Sequence, residues 1–296
     1  LVDQKSVLMQ KTNSELRAML GGVDKISKLN KKELVDLEKL SEKNNNISNI
    51  ILNDQKNQNT LSENMINELT SALDIADKDN EVKVIILSSK GNIFCAGHNL
   101  KDLNSQRLQN DKGESYFKKI FQMCSQLMLK INKNNKPVIA MVDGIATAAG
   151  CQLISSCDLA YSSSRAKYAT PGVNIGLFCS TPMVPLSRTV GKKQAMEMLL
   201  TGDLIDANKA LRIGLINDVF EEDSLKENVF QIAKKISSKS SNTIKIGKEA
   251  FYKQKDMNLE DAYTFTSKVM TENMLHDDSK EGIEAFLEKR EPNWKE

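Results

Sequence analysis

The chain has 296 residues, 40% of them hydrophobic, which is enough to bury one large core and excludes an intrinsically disordered polymer. Its 41 basic and 39 acidic side chains nearly cancel, so no global field draws it to nucleic acid or to an anionic membrane. No stretch approaches the roughly 18 apolar residues of a membrane span, and five cysteines at irregular spacing without a CxxC predict reduced intracellular thiols rather than disulfides or a metal site.

The chain begins at Leu1, so any targeting segment is expected upstream of it. Over residues 1–46 the patterns "SELRAML" and "KKELVDLEKLSEK", separated by a glycine turn and closed by "NNN", predict a short N-terminal helical arm. Two Lys-rich amphipathic helices suit docking or capping better than nucleic-acid binding. After Asn46 the rhythm changes to strands alternating with helices. The β-branched runs "ISNIIL" (47–52) and "VKVIILSS" (82–89) flank an amphipathic helix over 61–76, a βαβ-like unit. A long helix is expected over 116–131, a buried strand over 136–142, a helix starting near Ala148, and a strand over 157–163. Beyond Asn217 the pattern is almost all helical, over 225–237, 242–254, 259–275 and 277–290. Ile244, Phe251 and Phe265 give these helices more apolar surface than a single layer should expose. The predicted organisation is an extension (1–46), an α/β core (47–240) and a helical oligomerisation region (241–296).

Two loops carry the chemistry. "DGIATAAGCQL" follows the strand ending at Val142, and its small side chains expose the first N–H groups of the next helix. "GNIFCAGHNL" follows the strand ending at Ser89, with Gly91 and Gly97 bending the backbone beside His98. Either loop alone reads as an ordinary glycine-rich turn. Together, at the ends of two parallel strands, they can aim two backbone N–H donors at one oxygen, as an enolate or tetrahedral oxyanion requires.

The segments "FCAGHNLKDL", "KPVIAMVDGIATAAGCQLISSCDLAYSSSRAKYATPGVNIGLF" and "AMEMLLTGDLIDANKALRIGLINDVF", in this order, resemble the crotonase (enoyl-CoA hydratase/isomerase) superfamily from about Ile47 onward. The resemblance implies an α/β fold, a spiral of ββα turns with a C-terminal helical trimerisation region. It also implies acyl-CoA thioesters as ligands without a further cofactor or metal, a homotrimer or hexamer, and a place in mitochondrial fatty-acid metabolism. Position by position, it puts the two oxyanion donors on the backbone N–H groups of His98 and Ala149. Ala96, Gly97, His98 and Leu100 would cradle CoA, with Lys101 near its phosphates and Phe286 and Lys289 of "EGIEAFLEKR" completing the site. Asn99 stands where the family has Asp, and its amide can still cap the following helix.

The two glutamates of family hydratases fall on Gln152 and Gly172, neither of which can act as a general acid or base. A third acidic position, used by related dienoyl isomerases, is Ser180. His98 has an imidazole suited to proton transfer. Cys151, Cys179 and Ser180 are nucleophile types without an evident base, while Thr147, Asn174 and Gln152 suit binding. Asp158 reads as structural and Asp143 as a backbone cap. Three readings stay open: an acyl-CoA enzyme with unconventional acid/base groups, a catalytically silent acyl-CoA binder or scaffold, and a nucleic-acid-binding homologue, the last unsupported by charge.

Overall fold

A computed structural model describes residues 34–40 and 46–295. The chain runs β1 (Val35–Leu40), β2 (Ile47–Leu52), α1 (Glu63–Lys78), β3 (Val84–Ser89), β4 (Ile93–Cys95), α2 (Leu100–Gln106) and α3 (Glu114–Asn132). It continues through β5 (Val138–Val142), β6 (Ile145–Thr147), α4 (Ala149–Ser156), β7 (Leu159–Ser163), β8 (Lys167–Ala169) and a 3-10 turn (Pro171–Ile175). Then come α5 (Met183–Thr189), α6 (Lys192–Thr201), β9 (Ile205–Asp206), α7 (Ala207–Arg212), β10 (Asp218–Phe220) and α8 (Glu222–Ser237). Three helices close the chain: α9 (Ser241–Gln254), α10 (Leu259–Met274) and α11 (Asp277–Glu288).

Each turn of the chain adds a long strand to one sheet and a short strand to another. β3, β5 and β7 join the six-stranded sheet β1-β2-β3-β5-β7-β10, while β4, β6 and β8 build the four-stranded sheet β4-β6-β8-β9. The long strands are parallel from β2 to β10 and read as unbroken aliphatic runs because both faces of their sheet are covered. On one face lie α1 and α3, whose stripes Met65, Leu69, Leu73 and Ile120, Cys124, Leu127, Ile131 recur at helical spacing. On the other, Leu225, Val229 and Ala233 of α8 pack on Ile47, Val84, Ile86 and Ile139.

The helix expected over "KKELVDLEKLSEK" is corrected: residues 35–40 form a strand antiparallel to β2, Leu37 facing Ile50. Val35 and Leu37 are buried while Asp36 and Glu38 are only half-buried, a period of two hidden inside a pattern that also fits a helix. Pairing with the otherwise bare edge of β2 decides between them. Glu68 of α1 accepts from the N–H groups of Leu34 (2.9 Å) and Val35 (3.1 Å), so the core begins before the "NNN" junction. The other arm pattern, "SELRAML", lies outside the described residues.

Asp158 is structural, as expected. It accepts from Val138 N and Tyr252 OH and pairs with Lys248 Nζ at 2.7 Å, tying α9 to the sheet. Asp143 does not cap backbone; it holds the Arg165 guanidinium through two 2.7 Å bonds. Among the described residues no helix is long and apolar enough to cross a membrane, and no group of three or more His, Cys, Asp or Glu could hold a metal ion. All five cysteines are buried and unpaired.

Candidate functional site

β4 and β6 are parallel neighbours, Ile93 beside Ile145 and Cys95 beside Ala146, so the loops leaving them emerge side by side. The contact is close. A Cβ on Gly97 would meet Ala148 Cβ at 3.0 Å, Thr147 O at 3.1 Å and Ala149 N at 3.3 Å, and one on Gly150 would strike Cys95 O at 2.1 Å. Gly97 also needs its φ of +88°. Leu61 N donates to Gly97 O (2.7 Å) and Thr147 Oγ1 to Ala96 O (3.2 Å), pinning the first loop from both sides.

Ala148 enters α4 at φ 50°, ψ −114°, a conformation costing a non-glycine residue on the order of 1–3 kcal/mol. Its N–H donates to Ala169 O (2.9 Å) and its carbonyl accepts from Gln152 N (3.1 Å), which hold the strain in place. The result is a free Ala149 N–H at the helix start. Neither Ala149 N nor His98 N donates to any protein acceptor among the described residues. Two unpaired donors thus flank the contact between the loops, where the positive end of the α4 dipole adds to them.

His98 is held through its Nδ1 and its ring. Its Nδ1 lies 3.1 Å from Leu61 O, and its ring meets Phe121 of α3 edge to face, centroids 5.3 Å apart. Its Nε2 is buried without a hydrogen-bond partner. Burial pushes the imidazole below its usual range, with the Leu61 carbonyl opposing.

Gln152 is 3% exposed, its amide oxygen 3.9 Å from the Cys124 thiol. Gly172 is buried in the 3-10 turn, and its missing side-chain volume is filled: a Cβ there would stand 2.7 Å from Leu177 O and 2.9 Å from Cys179 Sγ. Cys151 donates to Ala146 O and Ala169 O, and burial pushes its thiol up to about 12. Cys179 is also raised by burial. Neither is a ready nucleophile. Ser180 and Asn174 face solvent. Asn99 caps α2, accepting from Lys101 N and Asp102 N.

Leu100 and Lys101 are exposed at the outer edge of the loop. Phe286, 82% exposed, and Lys289 belong to the end of α11, which packs on α9 and α10. Two surface grooves run between α1 and α3, one lined by Asp74 and Lys130, the other by Ile66 and Met123; neither includes the oxyanion loops. Sequence reasoning missed Leu61 O, Phe121 and Cys124 as neighbours of the site. Only the helical spacing of Phe121 and Cys124 pointed to their common face.

A spiral of ββα turns that feeds two sheets at once and brings two glycine-rich loops side by side defines the crotonase class of folds. The chain belongs to the enoyl-CoA hydratase/isomerase family, whose model matches residues 42–296. It is similar to the rat protein "Enoyl-CoA hydratase domain-containing protein 3, mitochondrial", 46% identical over 248 residues, covering 84% of this chain and 81% of that one. Similarity to the human protein of the same name is 47% over 249 residues, covering 84% and 80%. The crystal structure of human enoyl coenzyme A hydratase domain-containing protein 3 matches with a TM-score of 0.82 at 45% identity, covering 88% of this chain and 100% of that one.

Proposed function

We propose that the protein binds acyl-CoA thioesters of mitochondrial fatty-acid metabolism, polarising the carbonyl between His98 N and Ala149 N, and that it hydrates enoyl-CoA poorly. The observation that carries this reading is the pair of unpartnered N–H groups at the contact of the two loops, with an amide at Gln152 and no side chain at Gly172. Adding water across an enoyl double bond requires a base and an acid, each worth roughly 10²–10⁴ in rate. The loop Ala96, Gly97, His98, Leu100 then cradles the CoA moiety and Lys101 meets its phosphates. Phe286 and Lys289, exposed on the C-terminal helices, act across a subunit boundary in a homotrimer or hexamer. Backbone donors do the polarising, so no cofactor beyond the thioester is called for. The names of the rat and human relatives support the mitochondrial setting.

Calorimetric titration with butyryl-, crotonyl- and octanoyl-CoA, alongside the loss of crotonyl-CoA absorbance, tests the reading. Saturable binding with near-background hydration is expected. Failure to bind any ester, or hydration at the rate of an efficient hydratase, overturns it.

A further inference from the structure

α11 ends in a turn that suits glycine but is made by lysine. Lys289 stands at φ 56°, ψ 41°, with Lys289 N donating to Phe286 O (3.3 Å) and Arg290 N to Ala285 O (3.0 Å). Glycine is usual at this place because the left-handed region is unfavourable for a residue with a Cβ. A lysine there instead brings an ammonium to the end of the helix.

Beyond the turn the chain runs back along α11 and is tied to it. Arg290 grips Glu281 through Nη1 (2.7 Å) and Nη2 (3.0 Å), and Asn293 N donates to the same carboxylate (2.6 Å). Trp294 lies against Gly282, where a Cβ would stand 3.2 Å from its ring, and its Nε1 donates to Ser238 O (2.8 Å) just past α8. Lys295 N donates to Asp278 Oδ1 (3.2 Å), and the other oxygen of that buried carboxylate accepts from Ser240 Oγ, the N-cap of α9. The tail therefore joins the first half of α11 to the α8–α9 junction.

The charges of the tail divide in the same way. Arg290 pairs with Glu281 and Glu288, and Lys295 with Asp277, whereas Lys289 has no acidic partner among the described residues. Phe286, three residues before it, is 82% exposed. An unpaired ammonium and an exposed ring so close in the chain suit a phosphate and a stacked base, the chemistry of the CoA end of a thioester.

We propose that residues 290–295 form a clasp, with Glu281, Arg290 and Trp294 as positioning residues that fix Phe286 and Lys289 for the CoA end of an acyl-CoA. The inference rests on the acyl-CoA reading. A turn held in advance need not be ordered when the ligand arrives, so opening the clasp weakens binding without altering a side chain that meets the ligand.

The test is calorimetric titration of the full chain with butyryl-CoA, beside light scattering and tryptophan emission. Arg290→Met combined with Trp294→Ala removes both anchors. Gly282→Leu keeps them but fills the seat of the Trp294 ring, and leucine is a better helix former than glycine, so α11 itself is not weakened. Because Trp294 is the only tryptophan of the chain, its emission should shift to the red in Gly282→Leu. Both variants are expected to keep the wild-type mass and to raise the Kd about tenfold, the scale of one charged hydrogen bond. Trp294→Phe, which keeps a ring against Gly282, should retain most of the affinity. Lys289→Met should itself weaken binding, and adding either clasp variant to it should change the Kd no more than about twofold, since the coupled residues are not additive. Wild-type affinity in the variant lacking both anchors, or an equal loss with and without Lys289, overturns the clasp alone. A wild type that does not bind butyryl-CoA overturns the acyl-CoA reading and this inference with it.

Discussion

At Gly172 the space for a side chain is closed by a carbonyl and a thiol, Leu177 O and Cys179 Sγ. The thiol can move, whereas the carbonyl is tied down by Leu177 N donating to Gly172 O at 2.9 Å. Gly172→Ala is therefore expected to lower stability by about 1–3 kcal/mol, measured by urea unfolding. For the same reason Gly172→Glu, even combined with Gln152→Glu, should not restore hydration of crotonyl-CoA; a large gain in the double variant would show that the turn yields easily. The thiols offer a second prediction at this scale. Burial raises Cys95, Cys124 and Cys151 from the ordinary 9.0 to about 12. Their folded-state pKa exceeds the unfolded one, so the unfolded chain loses these protons first and stability falls as pH rises from about 9 towards 12. Thermal scans should show a Tm insensitive to these groups below pH 9 and declining above it. Ellman's reagent should find no reactive thiol until the protein unfolds.

β1 shows how an element can be misjudged locally and settled by its neighbours. It contributes Val35 and Leu37 to the main core and covers the β2 edge, and Asp36 pairs with Lys90 at 2.6 Å. Truncation through residue 46 removes all of this and leaves the Glu68 carboxylate without the Leu34 and Val35 N–H groups. That protein should melt well below one truncated through residue 33, and an exposed β2 edge should make it aggregate. Equal melting temperatures by circular dichroism would show that the strand contributes little. α4 is the opposite case. Its small residues announce a close approach, and Gly97 and Gly150 make it.

At the scale of the molecule, the C-terminal helices expose a set of large apolar side chains. α10 buries no residue at all, and Leu259 (75%), Tyr263 (68%), Leu275 (83%) and Leu287 (73%) face outward. α10 packs on α9, which is itself tied to the sheet by the Lys248–Asp158–Tyr252 tether. We expect the chain to assemble as a trimer or a dimer of trimers through this surface. Light scattering at micromolar concentration should give three or six chain masses, and Tyr263→Asp should shift the protein toward monomer. A wild-type monomer would place the apolar face outside any self-assembly.

The sequence by itself determined the parallel core, because aliphatic runs such as Val84–Ser89 and the stripe of Met65, Leu69 and Leu73 are local periodicities that need only neighbours along the chain. It also determined the two loops, since glycine and alanine declare a close approach before the partner is known. The tertiary structure decided the rest. Strand or helix at β1 depended on an unpaired edge at β2. The pairing of Asp143 with Arg165, 22 residues away, depended on the course of the spiral. Whether a side chain could return at Gly172 depended on a carbonyl five residues on, brought back by a tight turn. The orientation of the His98 ring was set by contact with a carbonyl 37 residues earlier in the chain. Each of these is a contact between groups whose sequence separation carries no period, so only the folded chain can specify it.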